Sequence, residues 1–94
     1  DGAGTQVLVT VFNEQLQEQS AQTAAKIRQA GVKTELYPAI DDLGKQFKKA
    51  DQANIAYAIV IGEEEAAKDQ VSLKNLKTGD QEMMGVDEVI KKLS

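Results

Sequence analysis

AYAIVIGEEEAAKDQVSLKNLKTGDQ, Ala56 to Gln81, decides how this chain is read. Ala56–Ile61 is a continuous apolar run stopped by Gly62, the pattern of a strand buried on both faces. Glu63, Glu64 and Glu65 follow at once, and Lys68 comes last. Glu63–Lys68 therefore suits one or two helical turns, with acids at the positive end of the helix dipole and a cation at the negative end. Val71–Leu76 alternates, with Val71 and Leu73 on one side and Ser72 and Lys74 on the other, which predicts a half-exposed strand. Thr78-Gly79 signals a hairpin, and Asp80–Met84 is its return strand.

Upstream, Gln6–Val11 (QVLVTV) reads as another buried strand. Asn13 suits a helix cap, and Leu16, Ser20, Thr23, Ala24 and Ile27 recur at helical spacing. Ala30-Gly31 ends that helix, with Gly31 fitted to the left-handed position beyond it. Lys33–Leu36 is a short strand closed by Pro38. Asp41-Asp42 opens a second helix whose apolar stripe is Leu43, Phe47 and Ala50. Downstream, Gly85 caps a final helix with the stripe Val86, Val89, Ile90 and Leu93.

Strands alternating with helices imply parallel crossovers and helices on both faces of one sheet. The predicted fold is α/β, a three-layer α/β/α domain with a five-stranded mixed sheet, mostly parallel, with an edge hairpin. Asp1–Thr5 reads as a loose segment ahead of one domain, residues 6–94.

The 94 residues are 41% apolar, enough for one small core. Histidine, cysteine and tryptophan are absent. Within these residues that excludes a His-based triad, a His-ligated metal and thiol chemistry. Lack of cysteine fits a reducing compartment. No apolar run approaches the roughly 20 residues that span a bilayer. The first residues, DGAG, lack the order of a signal peptide, and the absence of an initial Met is what an excised or processed piece would show. The net charge is −4, so a nucleic-acid role requires a local basic face.

Ligands of open α/β sheets gather beyond the carboxyl ends of the strands, where Glu63-Glu64-Glu65 lies. As a group these acids also fit a solvated helix start. A carboxylate there can accept two hydrogen bonds from a base edge such as N1–H and N2–H₂ of guanine. Lys74 and Lys77 suit a phosphate or the O6/N7 edge of guanine. Lys45, Lys48 and Lys49 form a second basic cluster, fitted either to solvent or to an RNA backbone. Asp41-Asp42 is not a phosphoacceptor pair, because the third strand ends in Ile61-Gly62 without an Asp. Gly2-Ala3-Gly4 has no strand before it and is not a phosphate loop. The aromatics Phe12, Tyr37, Phe47 and Tyr57 read mainly as packing residues, which does not support a general stacking platform.

Taken together, Lys45–Asp51, Ala56–Ile61, Gly62-Glu63-Glu64-Glu65 and Val71–Gln81 resemble the C-terminal anticodon-binding domain of class IIa aminoacyl-tRNA synthetases. Within that family the Lys-Asn-Leu-Lys-Thr-Gly-Asp-Gln ending is most similar to the histidine-specific members. Where the family pattern often has Gly before the fourth strand, this chain has Asp69-Gln70.

The resemblance implies a tRNA-reading module without catalytic residues. Glu65 and Lys74 match anticodon-binding positions, and Lys45, Lys48 and Lys77 are candidates for tRNA-backbone contacts. It further implies no cofactor or metal in this domain, and ATP and Mg²⁺ in a separate catalytic domain. The implied parent is a cytoplasmic homodimer acting on histidine tRNA, with no membrane partner. The alternative is a non-catalytic interaction or regulatory module derived from such a domain.

Overall fold

In the computed structural model of the chain, which describes residues 4–94, five strands form one sheet in the order β2-β1-β3-β4-β5. They are β1 (Val7–Val9), β2 (Thr34–Leu36), β3 (Tyr57–Val60), β4 (Val71–Asn75) and β5 (Gln81–Met84). Four helices accompany them: α1 (Gln17–Gln29), α2 (Leu43–Gln52), α3 (Glu63–Lys68) and α4 (Val86–Leu93). A single 3₁₀ turn, Glu14–Leu16, precedes α1, and Asn13 Oδ1 caps it by accepting the Leu16 N–H at 2.9 Å. Most of the expected loose segment falls on residues 1–3, outside the described residues. Within the described part, the Thr5 hydroxyl donates to Glu35 at 2.7 Å.

β1 is an interior strand, buried along its whole length, which is why its sequence does not alternate. It pairs in parallel with β2 and β3, whereas β3–β4 and β4–β5 are antiparallel. Antiparallel pairing thus begins one strand before the hairpin. Only residues 61–70 separate β3 from β4. A parallel return needs a dozen or more residues, and α3, six residues long, rises only about 9 Å. The chain therefore turns at the end of β3 and comes straight back beside it.

One face of the sheet presents Val7, Val9, Ile59, Ile61, Val71, Leu73 and Met84 to Ala24 and Ile27 of α1 and Val89 and Leu93 of α4. The other face buries Leu8 with Val11, Tyr37, Ile55 and Ala50 of α2. This is the three-layer arrangement, with α1 and α4 opposite α2. The α2 stripe is rotated from the expected one: Gln46 and Ala50 are its buried residues, while Leu43 and Phe47 are half-buried at its flank.

Helix ends follow local chemistry. Gly31 takes φ +95°, and the N–H groups of Gly31 and Val32 return to the carbonyls of Arg28 and Ile27, closing α1 with a Schellman motif. Asp42 Oδ2 caps α2 through the Lys45 N–H. At the end of α3, Asp69 itself adopts φ +55°, the conformation a glycine would take without strain.

Candidate functional site

β1, β2 and β3 point their carboxyl ends at one edge of the sheet, and β4 begins there because it runs opposite to β3. Phe12, Gly62, Glu65 and Ser72 meet at this edge. Gly62 is the N-cap of α3, and its N–H donates to Glu65 Oε1 at 2.9 Å. A carboxylate three residues into a helix reaches back in this way to satisfy an N–H that has no helical partner. Gly85 and Glu88 repeat the contact at the start of α4 at 3.1 Å, but exposed to solvent.

Glu65 differs from Glu88 in being 9% exposed. Its Oε2 accepts the Ser72 hydroxyl at 2.6 Å. Burial alone would push the Glu65 carboxyl up. The Ser72 hydroxyl, the Glu65 and Gly62 N–H groups and the Lys68 charge outweigh burial and hold it below its ordinary value. The result is a buried, ionised carboxylate fixed in plane by two donors. Glu63 and Glu64 stay exposed, and Glu64 pairs with Lys68 at 3.4 Å.

Lys74 stands opposite Ala58 in the sheet register, two residues along β4 from Ser72 and so on the same face. Its ammonium lies 5.1 Å from the centroid of the Phe47 ring on α2. Such a cation–π contact contributes about 0.5–1 kcal/mol where it is partly solvated. The expected half-exposed character of β4 is corrected here: Ser72 is buried under Glu65, and Phe47 shields Lys74. Ser72, which holds Glu65, and Lys74 thus lie on one face of β4, two residues and about 7 Å apart along the strand.

The remaining lysines are dispersed. Lys45 lies on the first turn of α2 and pairs with Asp41 at 3.8 Å. Lys48 is exposed on the same helix, with no ion pair among the described residues. Lys77 sits in the β4–β5 turn, beyond the start of β3 and at the opposite edge of the sheet from Glu65.

Three residues of this edge escaped the sequence reading. Phe12, 40% exposed just past β1, is an aromatic that packing leaves outside. Gln46 is fully buried: its amide accepts the Val11 N–H at 2.9 Å and donates to the carbonyls of Val11 at 2.9 Å and Asp41 at 2.8 Å. It locks the end of β1 to the start of α2. Ser72 looked like the solvent side of an alternating strand. The one available signal was Gln46 itself, set between Leu43 and Phe47 on the apolar side of its helix. Beside Gln46, the Tyr37 hydroxyl donates to Asp41 Oδ2 at 2.7 Å; that bond, burial and the Asp41 charge push the phenol up from its ordinary value.

No three Asp or Glu side chains among the described residues converge to hold a metal ion. No described helix is long and apolar enough to cross a membrane. What the edge offers is a fixed carboxylate, an adjacent exposed aromatic and a lysine one step away, an arrangement suited to recognising a flat polar group.

Residues 6–94 match the family described as "Anticodon binding domain". The chain is 42% identical over 84 residues to histidine–tRNA ligase of Porphyromonas gingivalis, spanning 89% of this chain and 18% of that protein. It is 34% identical over 91 residues to threonine–tRNA ligase of Chlorobaculum tepidum, spanning 97% of this chain and 14% of that one. The crystal structure of histidyl-tRNA synthetase from Nostoc sp. PCC 7120 superposes with a TM-score of 0.89 at 30% identity, over 95% of this chain and 21% of that chain. The chain thus spans about a fifth or less of the length of these relatives.

Proposed function

We propose, from the premise that this chain belongs to the anticodon-binding domain family, that it reads the anticodon loop of histidine tRNA for a histidine–tRNA ligase. The match over residues 6–94 carries the reading. The similarity to histidine–tRNA ligase supports the histidine assignment. On this reading the ligase chemistry, with its ATP and Mg²⁺, belongs to another domain of a longer, cytoplasmic, homodimeric protein.

Anticodon loops are single-stranded, so their bases splay out and expose Watson–Crick edges. Glu65 accepts hydrogen bonds from such an edge, and Lys74 donates to an acceptor on a neighbouring base. Lys45 and Lys48 meet the backbone on the α2 side, and Lys77 meets phosphates further along the RNA. With a net charge of −4, phosphate attraction is weak, so base contacts carry more of the affinity.

The test is titration of an anticodon hairpin with the loop triplet GUG, the expected histidine anticodon, against the same hairpin with a threonine triplet. Hydrogen bonds to a charged group contribute about 1.5–3 kcal/mol. Glu65→Gln and Lys74→Ala should each weaken binding of the histidine hairpin roughly tenfold to a hundredfold. Equal binding of both hairpins, unchanged by either substitution, would sink the proposal.

A further inference from the structure

We propose that Phe12 is a stacking platform for one base of the bound loop and that Glu65 reads that same base's edge, the two forming a single subsite joined through Gly62. This rests on the anticodon reading above. Phe12 is an exposed aromatic, at 40%, among strand-end residues that are otherwise buried. Its position is nevertheless fixed. Both backbone polar groups of Val11, just before it, are held by the buried Gln46 amide, and Asn13, just after it, caps the 3₁₀ turn.

The ring lies against Gly62. A Cβ placed on that glycine would stand 3.8 Å from two ring carbons of Phe12 and 3.0 Å from Glu65 Oε1. The ring contact is an ordinary van der Waals one, whereas the carboxylate approaches so closely that a Cβ would crowd it, so Gly62 is the point where ring and carboxylate meet. Its N–H completes the link by donating to Glu65 Oε1.

The chemistry of the pair selects its ligand. Stacking tolerates any base, because every base has a π-face. A buried, ionised carboxylate accepts hydrogen bonds only, so it favours an edge rich in donors, of which guanine N1–H and N2–H₂ is the strongest. Phosphate is repelled. The subsite thus fits a splayed guanine lying on Phe12 with its Watson–Crick edge turned toward Glu65.

The chain has no tryptophan, so Phe12→Trp supplies a single tryptophan, excited selectively over Tyr37 and Tyr57, and keeps a ring at the platform. Adding the GUG hairpin should quench that fluorescence saturably, with near wild-type affinity. Phe12→Ala and Phe12→Leu should each weaken binding roughly 5- to 100-fold, the range of a lost base stack, without shifting the urea midpoint. Replacing the loop guanines by inosine, which lacks the N2 amine, should weaken wild type but not Glu65→Gln. If Phe12→Ala and Phe12→Leu bind as wild type while Glu65→Gln is impaired, the platform is wrong and the anticodon reading survives. If Phe12→Ala, Glu65→Gln and Lys74→Ala all bind as wild type, the anticodon site itself is misplaced.

Discussion

Ser72 donates its hydroxyl hydrogen to Glu65 Oε2 at 2.6 Å, bridging the start of β4 to the first turn of α3. This bond and the Gly62 N–H keep a carboxylate charged where burial would otherwise neutralise it. The same bond holds α3 against the sheet at the tight antiparallel return. One hydrogen bond therefore serves both the fold and the edge proposed to read the anticodon.

The lowered Glu65 value sets an acid limb of stability. The unfolded chain takes up this proton near the usual glutamate value of about 4.3, and the folded chain at a lower pH. The contribution is complete above the unfolded value and is lost as pH falls through the folded one. Ser72→Ala should cost about 1–3 kcal/mol at pH 7, the penalty for a buried acceptor left without its donor, and should raise the Glu65 value. Urea midpoints between pH 7 and pH 3, with NMR titration of the Glu65 carboxyl, measure both. A Glu65 titration unmoved by Ser72→Ala would remove the hydroxyl from this account.

Gly31 and Asp69 share a left-handed backbone, at φ +95° and +55°, but only one is a glycine. A Cβ at Gly31 would meet nothing within 4 Å, so Gly31→Ala makes no clash and sets backbone strain against the lost freedom of the unfolded glycine. It should lose up to about 1.5 kcal/mol. Asp69→Gly should relieve the matching strain, gaining up to about 1 kcal/mol after the extra freedom of an unfolded glycine is subtracted. Chemical denaturation of the two variants should give midpoint shifts of opposite sign.

Gln46 satisfies both backbone groups of Val11 and the Asp41 carbonyl. Gln46→Ala strands those groups and should cost roughly 2–4 kcal/mol. Gln46→Glu keeps the shape but loses donors and buries a charge. It should be more damaging at pH 7 than at pH 4, where protonation restores one donor. A Gln46→Glu variant with a pH-independent deficit would argue that the amide is merely filling space.

Lys48 has no ion pair among the described residues, whereas Lys45 pairs with Asp41. If both approach the RNA backbone, Lys48→Ala should flatten the plot of log affinity against log salt by about 0.7, one phosphate contact on a single strand. Lys45→Ala should do so by less, because Asp41 already neutralises it in part. Hairpin titrations between 50 and 200 mM salt, roughly the range in which such slopes are read, decide the matter. An unchanged slope in Lys48→Ala would take α2 out of the RNA interface.

Legibility in the sequence followed the range of the interaction. Gly31, Asn13 and Asp42 act on backbone groups within a few residues, so their roles could be read in place. Ser72 and Gln46 could not be read that way. Period-two alternation put Ser72 toward solvent, and it is buried only because the short α3 folds its third residue over it. Gln46 is buried because Val11, 35 residues earlier, needs its backbone groups satisfied. Phe12 shows the reverse: a residue type read as core stands exposed because β1 ends before it.

By itself, the sequence determined the order of strands and helices, the two apolar layers, the helix ends and the family resemblance, because periodicity and capping are set by neighbours along the chain. It also singled out Glu65 and Lys74. Only the tertiary structure decided that β4 runs back against β3, that Glu65 is buried and bound by Ser72 and Gly62, and that Lys74 lies over Phe47 while Phe12 stands open at the strand end. The physical reason is that a side chain's burial and charge state depend on what the fold brings across from elsewhere in the chain, and local spacing carries no record of those partners.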